Sequence, residues 1–220
     1  MLISLNDVKN LWAKYALRGS TSPSVLYKVA HVGAHYAEEL DDYLNGGFRE
    51  IVLFEPLAAN CDVIRQKLAN PTWEPWAKVE LHQVALGSNT TWVEHRPMYV
   101  SSNEAQSSSL LKPTHHTVQY PGITFERGES VIVVPLDSFQ LSPDLLAMDT
   151  QGYELEVLKG ATETLRSVKV VYTEVSNVPL YEGSALVEDL DAFLQPFGFK
   201  RVRTDWVGGT WGDAVYVKIA

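Results

Sequence analysis

The chain has one cysteine, no surplus of basic residues and no long apolar run, and each shortage excludes a class of protein. With a single cysteine, Cys61, in 220 residues, an internal disulfide framework and a zinc cluster built on thiolates are both excluded. Eighteen basic residues against 27 acidic ones give a formal net charge of −9. No basic stripe with interleaved aromatic residues occurs, so a nucleic-acid partner or an anionic membrane is disfavoured.

No apolar stretch approaches the ~20 residues needed to span a bilayer, and the N-terminus lacks the basic and apolar regions of a secretory signal. We therefore expect a cytoplasmic protein without stable membrane insertion; the composition is compatible with a homo-oligomer. Apolar residues at helical spacing between Leu2 and Tyr15 predict an N-terminal helical extension over 1–22. That helix could cover the sheet, contact a second subunit or lie on a membrane, and we favour the first.

The domain at 23–220 is organised around a strand, a turn, a helix and a second strand. An apolar run at 25–30 precedes Gly33, residues 36–44 have helical spacing, and a buried strand at 51–54 ends at Glu55 and Pro56. In such a βαβ unit, Gly33 and Glu55 lie at the same carboxyl edge of a parallel sheet. That edge is where these sheets bind nucleotide-like ligands.

The spacing favours a nucleoside ligand without phosphates. Glu55 lies about 20 residues beyond the glycine turn, the separation at which an acidic residue can bind ribose hydroxyls. His35 stands where a second glycine would let a pyrophosphate approach the backbone, which disfavours NAD and FAD. A nucleoside without phosphates needs only one close approach to the backbone, and S-adenosylmethionine (SAM) is such a ligand. The spacing therefore favours an adenosine-type site.

Two later segments add residues to this edge. A third strand is predicted over 78–87, and the loop after it would bring Ala85 and Leu86 beside the adenine ring. A short buried strand at 145–149 ends in the carboxylate of Asp149, before a turn and a helix that begins at Tyr153.

The C-terminal part changes the pattern from crossovers to a hairpin. A fifth parallel strand at 168–175 and a helix at 186–194 are followed by strands at 199–206 and 214–219, which Gly208 and Gly209 join. We therefore predict an α/β, Rossmann-like class I methyltransferase fold. Its sheet would be mostly parallel and seven-stranded, with a C-terminal antiparallel hairpin.

The segment 88–129 is rich in polar and turn residues. A connection this long predicts a lid or an acceptor-binding insertion, and a mobile excursion is the alternative. His95, His115 and His116 lie in it. Adjacent histidines in a strand would point to opposite faces, so His115 and His116 are a poor metal chelate and solvated loop histidines are favoured.

Several motifs occur in a fixed order over about residues 28–218. They are Val32–Gly33–Ala34–His35, Phe54–Glu55–Pro56, Ala85–Leu86–Gly87, Ser107–Ser108–Ser109–Leu110, Leu136–Asp137–Ser138, the long block from Asp149 to Ala161, Glu174–Val175–Ser176 and Pro179–Leu180–Tyr181–Glu182–Gly183. With these motifs the chain resembles the FkbM-type SAM-dependent methyltransferases. The resemblance implies SAM as methyl donor and a hydroxyl acceptor on a sugar or natural product. His31 and Ala37 depart from the family, where an acidic or neutral residue and a glycine are common.

Methyl transfer requires alignment of the two substrates and, for an alcohol acceptor, removal of a proton. We expect Glu55 to bind the ribose diol, the turn at Gly33 and Ala34 to meet the methionine portion, and Asp149 to face the transfer centre. The predicted catalytic residues are Asp149 and, as the alternative base, His35. The predicted cofactor-binding residues are His31, Gly33, Ala34, Glu55, Pro56, Ala85 and Leu86.

Structural roles compete with these assignments. The only role of Asp149 could be to accept hydrogen bonds from free amides at the start of the helix that follows it. Glu154 and Glu156 lie near the start of that helix, where its dipole favours acidic residues, and Glu174 could brace the loop around Tyr181.

Other functions also compete. A metal pair of His31 and His35 is disfavoured because His31 ends a strand, so no metal is expected. The alternative to an enzyme is a non-catalytic protein that binds SAM or another nucleoside. A nucleotide-linked oxidoreductase is disfavoured by the single-glycine turn.

Overall fold

The computed structural model describes residues 2–16, 25–69, 71–73, 75–88 and 93–219. Within these ranges the strands are β1 (Lys28–Val32), β2 (Glu50–Phe54), β3 (Lys78–His82), β4 (Ala85–Leu86), β5 (Glu94–Ser101), β6 (Phe125–Val134), β7 (Leu145–Met148), β8 (Val170–Ser176), β9 (Phe199–Val207) and β10 (Trp211–Lys218). The helices are α1 (Leu5–Ala16), α2 (Leu40–Asn45), α3 (Ala58–Leu68), α4 (His115–Gln119), α5 (Glu154–Lys159) and α6 (Val187–Leu194).

Seven of these strands form one sheet in the order β3-β2-β1-β7-β8-β10-β9. The pairs from β3 to β8 are parallel, and β10 is antiparallel to both of its neighbours. In this register Val32 lies opposite both Phe54 and Met148. The residues that follow these three strand ends therefore meet at one edge, and the mostly parallel sheet with a C-terminal hairpin is confirmed.

The central strands are mostly apolar because both faces of the sheet are covered. All four residues of β7 and the first six of β8 are buried. One face packs under α1 and α2, where Ile3, Val8 and Tyr43 are fully buried. The other face packs under α5 and α6. The described part of α1 thus lies against its own sheet, and the proposed boundary at residue 22 falls outside the described residues.

The helix after β1 is shorter than its sequence pattern predicts. Residues 36–44 have helical spacing, yet α2 begins only at Leu40. His35 and Ala37 both adopt a left-handed backbone, with φ of 48° and 52°, which a right-handed helix does not accommodate. Glycine adopts this conformation without a steric penalty, so it suits position 37 better than alanine does.

The strand predicted over 78–87 is two strands in different sheets. β3 ends at His82, where the backbone turns so that the Val84 amide donates to the His82 carbonyl at 3.0 Å. Ala85 and Leu86 then form β4, which pairs in parallel with the end of β6. Both residues are buried.

The segment 88–129 has more regular structure than its composition indicates. β5 and β6 form an antiparallel pair that, with β4, makes a three-stranded second sheet. His115 and His116 lie on α4 and not in a strand or a solvated loop. The expectation of solvent exposure is wrong for His116, which is buried beneath Phe125 and Tyr181, whose ring centroids lie 5.2 and 5.5 Å from its own.

Among the described helices, each is too short or too polar to cross a lipid bilayer.

Candidate functional site

A cavity of about 610 Å³ opens at the carboxyl ends of β1, β2 and β7, and the second sheet and the β9–β10 hairpin close its other sides. Its volume lies within the range of about 300–1,000 Å³ of small-molecule sites. Every residue predicted as catalytic or cofactor-binding lines it: His31, Gly33, Ala34, His35, Glu55, Pro56, Ala85, Leu86 and Asp149.

The Gly33 turn is held tightly against the neighbouring strand end. Its φ is +78°, and a Cβ atom at this position would lie 1.9 Å from the Asp149 carbonyl oxygen. The amides of Gly33 and Ala34 both donate to the Phe54 carbonyl, at 2.9 and 3.0 Å. Because the sheet already uses both donors, the turn offers a ligand close approach to the backbone and no free N–H groups.

Glu55 is a buried carboxylate with most of its acceptor positions occupied. Oε1 accepts from the Leu57 amide at 2.9 Å and from Asn60 Nδ2 at 3.2 Å, and Oε2 accepts from the His35 amide at 2.9 Å. A carboxylate has about four lone-pair positions, so about one remains, on Oε2. Burial raises the pKa of Glu55 to about 7, although these hydrogen bonds oppose the shift.

Apolar residues also line the cavity. They include Pro56 and Leu57, which follow Glu55 in the chain, and Ala85 and Leu86 of β4. The short β4 strand is fixed by its pairing with Val133 and Val134 of β6.

Asp149 follows β7 and is exposed at the cavity. Its Oδ1 accepts from Gln151 Nε2 at 2.7 Å, and the same nitrogen lies 2.7 Å from Glu174 Oε2. Glu154 supplies the acceptor for the turn instead, since its Oε1 accepts from the amides of Thr150 at 2.8 Å and Gly152 at 3.2 Å. The alternative that Asp149 serves as the cap therefore has no support from these hydrogen bonds.

Glu174 is buried beside Asp149. Burial and then the charge of Asp149 raise the pKa of Glu174 well above its ordinary value, which favours the protonated form of this carboxyl. Its expected contact with the loop around Tyr181 is indirect, because Tyr181 Oη lies 2.9 Å from Gln151 Oε1. Sequence reasoning missed Gln151, and its position in the turn directly after Asp149 is the signal that could have found it.

His35 is held by a hydrogen bond at each ring nitrogen. Nδ1 lies 2.7 Å from Glu38 Oε1, and Nε2 lies 2.7 Å from the Glu104 carbonyl oxygen. Both partners are acceptors, so both bonds form only when the ring is protonated. Burial lowers the pKa of His35, but these two bonds outweigh it and the net shift is upward. To act as a base, His35 would first have to break one of them.

His31 lies on the floor of the cavity and is buried. Its Nδ1 is 3.3 Å from Tyr43 Oη, and the two rings meet edge to face at 5.7 Å. Burial lowers the pKa of His31, and the nearby Glu39 opposes that shift. In the part of the chain that the structure describes, no three histidine, cysteine, aspartate or glutamate side chains have an arrangement that could hold a metal ion.

The remaining wall comes from the insertion and the hairpin, whose cavity residues the sequence did not predict. They include Asn103, Ser107, His116, Tyr120, Trp211 and Asp213. Among the described residues, six acidic side chains line the cavity: Glu38, Glu39, Glu55, Asp149, Glu174 and Asp213. No lysine or arginine among the described residues does so.

The sequence is similar to those of known methyltransferases. The family model described as the methyltransferase FkbM domain matches residues 29–201. The 2-O-methyltransferase NoeI of Sinorhizobium fredii (strain NBRC 101917 / NGR234) is 30% identical over 145 residues, which cover 61% of this chain and 56% of that protein. The match thus spans little more than half the length of this relative.

Two solved structures have a similar fold at low sequence identity. Magnesium protoporphyrin IX methyltransferase from Synechocystis PCC 6803, solved with bound SAM, is 10% identical with a TM-score of 0.50, covering 97% of this chain and 78% of that one. A putative RNA methyltransferase from Pyrococcus horikoshii is 12% identical with a TM-score of 0.50, covering 97% and 80%. The class I methyltransferase fold expected from the sequence is confirmed.

Proposed function

Because the chain belongs to the FkbM methyltransferase family, we propose that it is an enzyme that methylates a hydroxyl group of a sugar or another small molecule, with SAM as the donor. One observation carries the proposal. Three strand ends that are distant in sequence bring Gly33, Glu55 and Asp149 to a single cavity.

The chemistry of the cavity walls fits SAM better than a dinucleotide. The carboxylates of Glu55, Asp149 and Glu39 face a cavity that no described lysine or arginine lines, so a sulfonium cation is favoured and a pyrophosphate is not. Glu55 would accept a hydrogen bond from a ribose hydroxyl at its remaining position on Oε2. The apolar wall formed by Pro56 and Leu86 would contact the adenine ring.

SAM supplies a methyl group that its positively charged sulfur has already activated. The protein therefore has to align the acceptor and accept its proton. We assign the proton to Asp149, because its carboxylate is exposed at the cavity and is oriented by Gln151. The raised pKa of Glu174 next to it disfavours a second negative charge beside Asp149. His35 is the alternative base, but it would have to release Glu38 or Glu104 first.

The test is to incubate the protein with SAM and a panel of hydroxylated small molecules, and to measure S-adenosylhomocysteine and methylated product by mass spectrometry. We expect product with at least one acceptor. The Asp149→Asn variant should bind SAM with unchanged affinity in calorimetry and lose at least about a hundredfold in turnover, the contribution typical of a general base. Full turnover in this variant would exclude Asp149 as the base.

The same experiment separates the competing functions. Binding of SAM without S-adenosylhomocysteine from any acceptor would favour a non-catalytic nucleoside-binding protein. Binding of NAD in place of SAM would favour an oxidoreductase.

A further inference from the structure

The backbone of Gln151 has a strained conformation that its surroundings hold in place. Its φ is +55°, in the left-handed region that residues other than glycine rarely adopt. Ser109 Oγ donates to the Gln151 carbonyl at 2.8 Å. The amides on either side, those of Thr150 and Gly152, both donate to Glu154. Strained residues of this kind persist only where the surrounding structure fixes them, and they cluster at functional sites.

The side chain of Gln151 lies in the cavity wall and forms hydrogen bonds at both ends of its amide. Nε2 lies 2.7 Å from Asp149 Oδ1 and 2.7 Å from Glu174 Oε2, so each of its two hydrogens has one acceptor. Oε1 lies 2.9 Å from Tyr181 Oη. An amide supplies the two donors and the acceptor that this arrangement requires, and neither a carboxylate nor an apolar side chain does so.

Tyr181 reaches this amide from outside the cavity. It is buried and does not line the cavity, and its ring lies 5.5 and 6.4 Å from those of His116 and Phe125. Burial raises the pKa of Tyr181 above its ordinary value, so the hydroxyl keeps its proton and acts as a donor. Its acceptors are Gln151 Oε1 and the Ser107 carbonyl oxygen, each at 2.9 Å.

The position of the Gln151 amide depends on this hydroxyl, because the side chain borders open space. Glutamine is among the side chains that lose most conformational freedom when they are fixed. No other described residue donates to Gln151 Oε1, so without the Tyr181 hydroxyl the amide would be held at its nitrogen end only. A side chain that turned into the cavity would remove the donor that fixes Asp149 Oδ1.

We propose that Tyr181 is a positioning residue for methyl transfer: it holds the oxygen end of the Gln151 amide, whose nitrogen end holds Asp149 toward the methyl acceptor. Tyr181 contacts neither SAM nor the acceptor, and no proton passes through it. This inference rests on the proposed function, in which Asp149 receives the proton of the acceptor hydroxyl.

The first test observes the Gln151 amide directly and needs no acceptor. In isotope-labelled protein, the NMR signals of this side-chain amide are assigned by their loss in Gln151→Met. We expect both hydrogens of the wild type to exchange slowly with water, since each is bonded to a carboxyl group. In Tyr181→Phe, which keeps the ring and removes the hydroxyl, the exchange should be at least about fivefold faster.

The second test is a double-variant cycle on turnover. Its acceptor is the compound of the hydroxylated panel from which the wild type forms most S-adenosylhomocysteine. Tyr181→Phe should lower kcat about five- to tenfold, the effect of losing one hydrogen bond. The KM for the acceptor and the SAM affinity should be unchanged, because Tyr181 does not line the cavity. Gln151→Met should lower kcat at least as much, and adding Tyr181→Phe to it should cause no further loss.

Tyr216 supplies a matched control. It is a buried tyrosine on β10 that does not line the cavity. Tyr216→Phe therefore loses a buried hydroxyl without touching Gln151, and it should keep the wild-type amide exchange and kcat. If Tyr181→Phe does not fold, Gln151→Met alone decides, since wild-type kcat in that variant would remove the link between Tyr181 and Asp149.

Three results would overturn the inference: unchanged exchange of the Gln151 amide in Tyr181→Phe, a raised acceptor KM at unchanged kcat, or losses in kcat that multiply in the combined variant. Multiplying losses would mean that Tyr181 acts through Ser107 and the insertion instead. Failure of the proposed function gives a different result, because the wild type would then form no S-adenosylhomocysteine with any acceptor of the panel. Normal turnover by the wild type together with unchanged kcat in Tyr181→Phe would refute the positioning role alone.

Discussion

Nucleoside affinity should depend on pH through Glu55. Burial raises the pKa of this carboxyl to about 7 in the absence of ligand. The ionised form accepts a hydrogen bond from a ribose hydroxyl much better than the protonated form does. With this pKa, about nine tenths of the carboxyl is ionised at about pH 8 and about one tenth at about pH 6. We therefore expect nucleoside binding to be about tenfold weaker at the lower pH, which corresponds to about 1.4 kcal/mol.

Adenosine is the ligand for this measurement, because it carries the ribose diol but no amino group that titrates near neutral pH. Calorimetry at about pH 6, 7 and 8 gives the affinity, and two buffers with different ionisation enthalpies give the number of protons released. At about pH 7 we expect release of about half a proton for each adenosine bound, since half of the carboxyl groups must ionise.

Two variants assign the effect to its source. Glu55→Gln should weaken adenosine binding and remove its pH dependence. Burial also raises the pKa of Glu154 to about 7, but this carboxyl binds Thr150 and Gly152 and does not line the cavity. Glu154→Gln should therefore keep the wild-type dependence. Equal affinity at about pH 6 and 8, or a pH dependence that survives in Glu55→Gln, would refute the assignment of Glu55 to the ribose.

Three further outcomes are expected. Gly33→Ala should abolish SAM binding, and it should reduce the free energy of unfolding by at least about 2 kcal/mol more than Gly47→Ala does. Gly47 is the control because it has the same left-handed backbone, but no atom lies within 4 Å of a Cβ added there. Equal effects in urea titrations would contradict this. Asp137→Ala should cost about 1–2 kcal/mol and leave SAM affinity unchanged, since the Asp137 carboxylate accepts from the Thr164 amide at 2.8 Å and does not line the cavity; weaker binding in calorimetry would count against it. Because the pKa of Glu154 is raised from 4.5 to about 7 on folding, its protonated form stabilises the fold. This contribution is complete below about pH 4.5 and is lost as the pH rises through about 7. Urea unfolding should therefore find Glu154→Gln gaining up to about 3 kcal/mol relative to wild type between these values, and a constant difference would refute it.

The sequence predicted the main sheet and assigned the candidate site residues to one of its edges, because both follow from local patterns. Strands such as β7 are covered on both faces, so their sequences are apolar runs. The runs of β2 and β7 end directly before Glu55 and Asp149, and the parallel pairing of both strands with β1 brings these ends together. The positions of Glu55 and Asp149 at the same sheet edge can therefore be predicted from the strands alone, without knowing which side chains surround them.

The second sheet could not be predicted in the same way. β5 is polar and half-exposed along most of its length, and Pro97 lies at an irregularity in its pairing with β6. β4 has only two residues, which are too few to show the alternation of apolar and polar residues that indicates a strand. These strands form because they pair with each other, and the local composition of a segment says little about its pairing partners.

The turn conformations and the burial of His116 depend on distant contacts. Left-handed backbone at His35 and Ala37 has no glycine to signal it. His116 is buried because α4 packs toward Phe125 and Tyr181, the second of which lies 65 residues away in the chain. A polar segment can therefore form an ordered wall that its own residues do not predict.

The pairing of β4 with β6 affects how acceptor specificity could be transferred between relatives. Backbone hydrogen bonds of this second sheet connect the strand that carries Leu86 to the strands that carry the insertion. A chimaera that exchanges only 94–124 would retain β6 and its register with Ala85. Cutting inside 125–134 would instead disrupt both the pairing that fixes Ala85 and Leu86 and the pairing that fixes β5. Recombination of the two specificities is therefore expected to succeed at the ends of β6 and to fail within it.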